Sequence, residues 1–390
     1  MSRLEDRLSP QRASLAVGIV ALSALAIGSL WRPEQFFRSY LFGYLPWLGL
    51  SLGSLAILML HHLASGEWGH VIRRFLEAAT ENLLLLAPLF LPIALGVGSI
   101  YEWARPIEIA VPRLLEQPSS YLSVPFFRVR AALYFAVWIL LAVRLNRLSE
   151  RQEREGGSLR PLQSTSAPGL ILYGITITFA AVDWAMSLET HWYSTIFGIA
   201  LMTGQCLSAL AFGALALHLF SKRSPLDEML RPSHFHDLGN MILAFVMLWA
   251  YMAYSQYLII WSGNLPEEIR WYLGRSGGWE KLACVLILLH FAVPFLLLLS
   301  RALKQSGKTL AWIAGLVLFM RFVDNFWIVA PAFHPGRFHL HWMDLAAPLG
   351  IGGLWLWFFL RNVERRPLLA SGDPRFEPAA PREAWTHGVS

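Results

Sequence analysis

Residues 167–198 read APGLILYGITITFAAVDWAMSLETHWYSTIFG. An apolar run of about 20 residues, enough to cross a bilayer, carries a carboxylate, Asp183, near its far end. Within a few polar residues, Ser187 to His191, the chain reverses into a second apolar run. A charge in lipid is costly, so an acid inside such a run either pairs or works. A hairpin of two apolar runs points to a fold of membrane-crossing helices.

The rest of the chain agrees with this hairpin. Of 390 residues, 55% are hydrophobic and only 15% are charged, too few to cover a soluble surface of this size. This composition predicts an all-α integral membrane protein, a single polytopic helical bundle. The net charge of +6 does not indicate nucleic acid, because the basic residues gather in loops on one side. The two cysteines, Cys206 and Cys284, both fall in apolar runs. Two thiols exclude a disulfide framework and any cysteine-ligated cluster held by this chain alone. Basic residues precede the first apolar stretch, but Gly28, Ser29 and Leu30 run straight into Trp31 without a small-residue cleavage site, so a retained helix is expected.

Apolar windows fall at 12–31, 40–63, 82–101, 126–147, 167–186, 192–220, 237–261, 280–300, 309–330 and 341–361. Ten spans put both termini on one side. That side collects 21 of the 32 Lys and Arg residues and the other collects 10, with Arg321 inside a span. The positive-inside rule makes the richer side, and with it both termini, cytoplasmic. Connection lengths repeat with an offset of four spans: short turns follow spans 1 and 5, and long outer connections follow spans 3 and 7. The offset predicts two parallel four-helix bundles, spans 2–5 and 6–9, with spans 1 and 10 flanking them.

Segments outside these windows also carry expectations. HVIRRFLEAATE, residues 70–81, is amphipathic, with Val71, Phe75 and Ala78 on one face and Arg73, Arg74, Glu77 and Glu81 mostly on the other. This pattern predicts a helix lying along the cytoplasmic interface. The outer connection 102–124, with Pro106, Pro112 and Pro118 and with Pro125 just beyond, predicts an ordered surface loop. LPEEIRWYL, residues 265–273, predicts a short outer helix with Trp271 and Tyr272 at headgroup depth. The tail 365–390, rich in proline and charge, is expected to be disordered.

Polar residues inside the spans are the candidate site. At a rise of about 1.5 Å per residue, Asp183 lies roughly 24 Å along span 5, in the outer third of the hydrocarbon. Arg321, Asp324 and Asn325 fall at i, i+3 and i+4 on span 9 and share a face. They read equally as an ion pair that makes burial tolerable or as part of a proton relay. Tyr254, Gln256 and Tyr257 on span 7 and Asp344 at the start of span 10 reach a similar depth, which predicts one polar pocket facing the outer side. On the cytoplasmic side His236 and Asp237 open span 7 and His218 closes span 6. Asp237 suits a helix N-terminus, and the three together would form a proton entry funnel. His290 is alone at mid-depth, so no pair of histidines is placed to ligate haem. No nucleotide-binding loop, catalytic triad or metal-binding His–Glu motif is present.

The blocks VDWAMSLETHWYSTIFG (182–198) and HDLGNMILAFVMLWAYMAYSQYLIIWSGNLPEE (236–268) closely resemble the F subunit of bacterial alternative complex III, within the polysulfide-reductase-C/NrfD-like membrane family. The resemblance implies a membrane subunit, in a bacterial inner membrane, of a quinol:cytochrome c, or other electron acceptor, oxidoreductase. It implies no redox cofactor on this chain, with haem c and iron–sulfur clusters in partner subunits. The implied partners are a homologous ten-helix subunit, a periplasmic iron–sulfur subunit, haem-c subunits and, in some assemblies, a terminal oxidase. Under this reading the chain scaffolds the complex and conducts protons through two half-channels, entering near His236 and Asp237 and leaving through Asp183, Asp324 and Arg321. Two alternatives stay open. One is a quinol site for menaquinol or ubiquinol at Tyr254, Gln256 and His290; the other is a stand-alone ion-coupled transporter.

Overall fold

The computed structural model describes residues 2–105, 121–155 and 158–369. Over these residues the chain is helical with no strand, and ten helices are long and apolar enough to cross a membrane. They are α1 (Pro10–Ser29), α2 (Pro33–Ala64), α3 (Glu67–Leu95), α4 (Val124–Glu155), α5 (Arg160–Leu188), α6 (Phe197–Phe220), α7 (Pro232–Gly263), α8 (Trp279–Leu299), α9 (Gly307–Phe333) and α10 (Trp342–Glu364). Each expected span has its helix. Proline within the first two positions starts α2, α5 and α7, where its missing N–H costs nothing.

α2 is the axis: 89% of its apolar window is buried, so its sequence carries small residues where neighbours press close. A Cβ at Gly53 would lie 1.9 Å from the Gln205 carbonyl of α6, and one at Gly43 would meet Ala347 and Pro348 of α10. Small residues allow such approach where helices pack without a hydrophobic drive from water. α2 also packs on α1, α3, α5 and α9, and α6 packs on α5, α7 and α9. α1 lies chiefly along α10. The two helix ends meet through Gln11, whose amide donates to Glu364 at 2.7 Å.

The expected interfacial helix at 70–81 is corrected. Residues 67–81 form the first part of α3, and both faces are buried. Arg73, Arg74 and Glu77 are 1%, 3% and 0% exposed, because the polar face meets polar partners instead of water. Arg73 donates to Glu77 at 3.0 Å, Ser149 at 2.9 Å and Gln152 at 3.1 Å, and Arg74 donates to Glu77 at 2.6 Å. The helix that carries span 3 therefore begins near 67, ahead of the apolar window.

The short outer helix is present at Pro266–Leu273. Its Trp271 is buried against the protein, stacked on Trp192 with centroids 4.0 Å apart. The connections on that face are stitched together by backbone: Gly336 N–H donates to the Gly274 carbonyl at 2.8 Å, and Phe338 N–H to that of Gly277 at 3.2 Å. Gly277 has φ +62, and a Cβ there would lie 1.8 Å from the Gly336 oxygen, so glycine is required on both counts. Residues 106–120 and 370–390, on which the expectations for the outer proline loop and the tail mostly fall, lie outside the described residues.

Candidate functional site

Asp183 is fully buried near the end of α5 and held from α4. Arg130 forks onto it, Nε to Oδ2 and Nη2 to Oδ1, each at 2.8 Å, and the Tyr134 hydroxyl donates to Oδ2 at 2.8 Å. Arg130, Tyr134 and Trp138 recur every fourth residue, one stripe facing α5, and the Trp138 indole donates to Thr176 at 2.8 Å. The Arg130 guanidinium also lies 3.9 Å over the Tyr121 ring. Burial, and then the negative charge of Asp183, push the Tyr121 hydroxyl up to about 12. Both carboxylate oxygens are engaged, a geometry that joins α4 to α5.

On α9, Arg321 donates to Asp324, and Asn325 Nδ2 donates back to the Arg321 carbonyl at 2.8 Å. The Trp249 indole of α7 donates to Asp324 at 3.3 Å. Arg321 fits because Gly204 of α6 has no side chain; a Cβ there would lie 2.0 Å from Nη2. His290, fully buried, sits in a π-helical turn of α8 (Leu286–Ala292) with its ring 4.2 Å from that of Trp249. Neither ring nitrogen has a partner among the described residues. Such turns frequently mark functional sites.

Two spaces meet at Arg321. A cleft of about 710 Å³ opens among α6, α7, α8 and α9, walled by apolar and aromatic side chains, with Arg321 and Asp324 among its lining. Tyr254, Gln256 and Tyr257 line it; Gln256 is 9% exposed, whereas Tyr254 is 62% exposed. A second cavity of about 40 Å³ lies among α2, α5, α6 and α9 and is lined by Arg321, Asn325, Gln205 and Ser208. At roughly 10–15 Å³ per water it has room for about three waters.

Arg275 and Glu189 form a further pair on the outer connections. Arg275 donates to Glu189 at 2.8 Å and to the carbonyls of Trp271 and Ile328 at 2.8 and 2.9 Å, and it also lines the cleft. Burial pulls Arg275 down to about 10 and pushes Glu189 up, each shift opposed by the other's charge. Asp344 belongs elsewhere. It accepts from Ser39 at 2.6 Å and Gln35 at 3.2 Å, and from the His341 N–H at 2.8 Å, closing the start of α10.

The single outer polar pocket expected from the sequence is therefore corrected. Asp183, Asp324 and Asp344 have separate partners on different helix pairs, and only Asp324 lines the cleft. At the other end, His236 Nδ1 lies 3.5 Å from Asp237 and 3.3 Å from Asn240, and Lys304 donates to Asn240 at 2.6 Å. His218 is half-buried at the end of α6, its carbonyl accepting from Ser221 at 2.7 Å. Between Asn240 and Trp249, α7 reads MILAFVML, an apolar gap of roughly 13 Å. Arg130, Tyr134, Trp249 and the Arg275–Glu189 pair escaped the sequence reading. The four-residue spacing of 130, 134 and 138 is the one signal that could have found the first two.

Among the described residues no group of three or more His, Cys, Asp and Glu side chains could hold a metal ion. Set against known protein families and curated proteins, the sequence matches no family model and no curated relative.

Proposed function

We propose that this chain is a membrane subunit of a respiratory quinol oxidoreductase of the alternative complex III type, working at the α6–α9 cleft without a redox cofactor of its own. The cleft carries the proposal: a largely apolar chamber that ends on a buried Arg–Asp pair, with a histidine that has no hydrogen-bond partner among the described residues in a π-helical turn behind it. In the proposed assembly, helices α2–α5 and α6–α9 are two four-helix bundles flanked by α1 and α10. Within the proposed bundles α2 packs on α3 and α5, α4 on α5, and α6 on α7 and α9, while α2 and α6 pack on each other and join the two. The face rich in Lys and Arg is cytoplasmic and carries both termini.

In the proton-conducting reading, the cleft is the outer half-channel and His236, Asp237 and His218 are the inner one. Arg321 and Asp324 are the junction, and the apolar stretch 241–248 is the barrier between the halves. The Asp183–Arg130 fork then anchors α5 beside this route. The chamber also favours a second reading. Its volume lies within the roughly 300–1,000 Å³ of small-molecule sites, and Gln256 and Tyr254 could hydrogen-bond the ring of menaquinol or ubiquinol.

Asp324→Asn separates the readings. In proteoliposomes the proton reading expects a lower proton-to-electron ratio at near-normal quinol oxidation. Slower quinol oxidation at an unchanged ratio, with a photoreactive quinone labelling residues 254–257, supports the quinol site. An unchanged ratio, unchanged oxidation and no label on this chain would remove the cleft from the mechanism.

A further inference from the structure

Between α8 and α9 the chain makes a short helical piece, Arg301–Gln305, set off at both ends by extended residues, Ser300 and Ser306. So short a helix does not stand on its own hydrogen bonds, so contacts with α7 must fix it. The Lys304 stem supplies one contact. It lies across Gly239 of α7, where a Cβ would come within 2.7 Å of Lys304 Cγ, and Lys304 is only 7% exposed. The Phe235 ring against Gly307 supplies another; a Cβ there would lie 2.9 Å from Cζ.

The Lys304 ammonium ends on an amide: Nζ donates to Asn240 Oδ1 at 2.6 Å. An ammonium can only donate, which turns Asn240 Oδ1 toward Lys304 and Nδ2 toward His236 Nδ1, 3.3 Å away. Nδ2 also can only donate, so His236 Nδ1 accepts, and the ring is neutral with its proton on Nε2. The same Nδ1 lies 3.5 Å from Asp237 Oδ1, and these two acceptors do not bond while Nδ1 is bare. His236 therefore has two alternative partners, and its proton decides between them. Of the other charged groups at this end, Glu67 of α3 lies 3.5 Å from His234, and Arg231 acts on that same ring. Arg301 and Lys308 beside the short piece are exposed, and α6 brings His218, Lys222 and Arg223 to this end. Among the described residues Asp237 is the acid within ion-pair reach of His236.

We infer that His236 is a proton-operated latch on the connection between α8 and α9. With the ring neutral, His236 holds Asn240 in the orientation that grips Lys304. A proton taken from water at Nδ1 makes that nitrogen a donor, and it moves onto Asp237 in a charge-assisted hydrogen bond. Asn240 Nδ2 then faces a positive ring that cannot accept. Turning the amide over would serve the ring but present an N–H to the Lys304 ammonium, so either orientation leaves one donor unpaired. The grip on Lys304 weakens, and residues 301–305 loosen between two helices that wall the cleft. Histidine changes charge between about pH 5 and 8, which sets the range of the response. The latch stands whether the cleft conducts protons or binds quinol.

The test is hydrogen–deuterium exchange of the full chain in nanodiscs, with whatever subunits accompany it, at about pH 8 and about pH 5.5, corrected for intrinsic exchange rates. Amide protection over 301–306 should fall about tenfold at the lower pH, equivalent to about 1.4 kcal/mol, while protection within α9 stays unchanged. His236→Gln keeps an acceptor for Asn240 but takes no proton, so it should hold the high protection at both pH values. Lys304→Met and, at an exposed position, Asn240→Ala each remove the grip and should give the low protection at both. Protection over 301–306 that ignores pH in the native chain, or a His236→Gln protein that loses as much as the native one, would overturn the inference. So would an Asn240→Ala protein that keeps the native protection and its pH response.

Discussion

Asp183 was legible from the sequence as a single acid in an apolar run; its partner was not. Arg130 follows Arg128 in FFRVRAAL and reads as the basic edge of a loop, yet it points inward to a carboxylate 53 residues away. Removing one member of a buried, forked pair leaves the other uncompensated, at a cost of roughly 3–5 kcal/mol. Asp183→Leu and Arg130→Met should each lower the detergent unfolding midpoint sharply. The double variant should be more stable than either single, because both charges leave together; a double variant whose losses simply add would argue against the pair. Gly204 tests the cleft's floor in the same way. Gly204→Val forces Arg321 aside and should cost about 1–3 kcal/mol by overpacking. It should also reproduce the Asp324→Asn transport phenotype, whereas normal transport would mean that Arg321's position is unimportant.

Helix existence was plain in the sequence because each span is a long apolar run; the role of α3's first part was not. HVIRRFLEAATE has one polar face, and the same pattern suits a helix on a membrane surface or one whose polar face meets polar side chains. Ser149, Gln152 and Glu153 of α4 decide the matter, and only tertiary packing brings them there. The π-helical turn of α8 is equally invisible, since LILLHFA scans as ordinary helix. The start of α10 carries a pH prediction. His341 Nδ1 accepts the Met343 N–H at 3.3 Å, which an imidazolium cannot do. Burial lowers the pKa of both His341 and His334 below the ordinary histidine value of about 6.5. His334 also faces His339, Arg38 and Arg337, which lower it further, against Asp344, which raises it. Groups with a depressed histidine pKa contribute stability that is complete above about pH 6.5 and lost as pH falls through the folded value. The unfolding midpoint should therefore fall below pH 6.5, and His341→Asn, which can still cap the helix, should flatten that fall. An equally steep loss in the variant would place the acid sensitivity elsewhere.

At the scale of the molecule, ten apolar helices and a charge-asymmetric pair of faces follow from composition and loop charge alone. The cleft does not, because it arises where α6, α7, α8 and α9 leave a space among them, a matter of packing that no single window records. The same holds for the separation of Asp183, Asp324 and Asp344, which the sequence places at a similar level but which share no partner among the described residues. The two blocks at 182–198 and 236–268, on whose resemblance the proposed quinol-oxidising complex rests, contribute Phe197, Trp249, Tyr254 and Gln256 to the cleft wall. The direct test of that membership is purification of the tagged chain from its own membranes in mild detergent, with an absorption spectrum and subunit identification of the eluted peak. The account predicts co-elution with haem-c absorbance, an iron–sulfur subunit and a second ten-helix chain; a colourless protein eluting alone would contradict it and leave an ion-coupled transporter as the better reading.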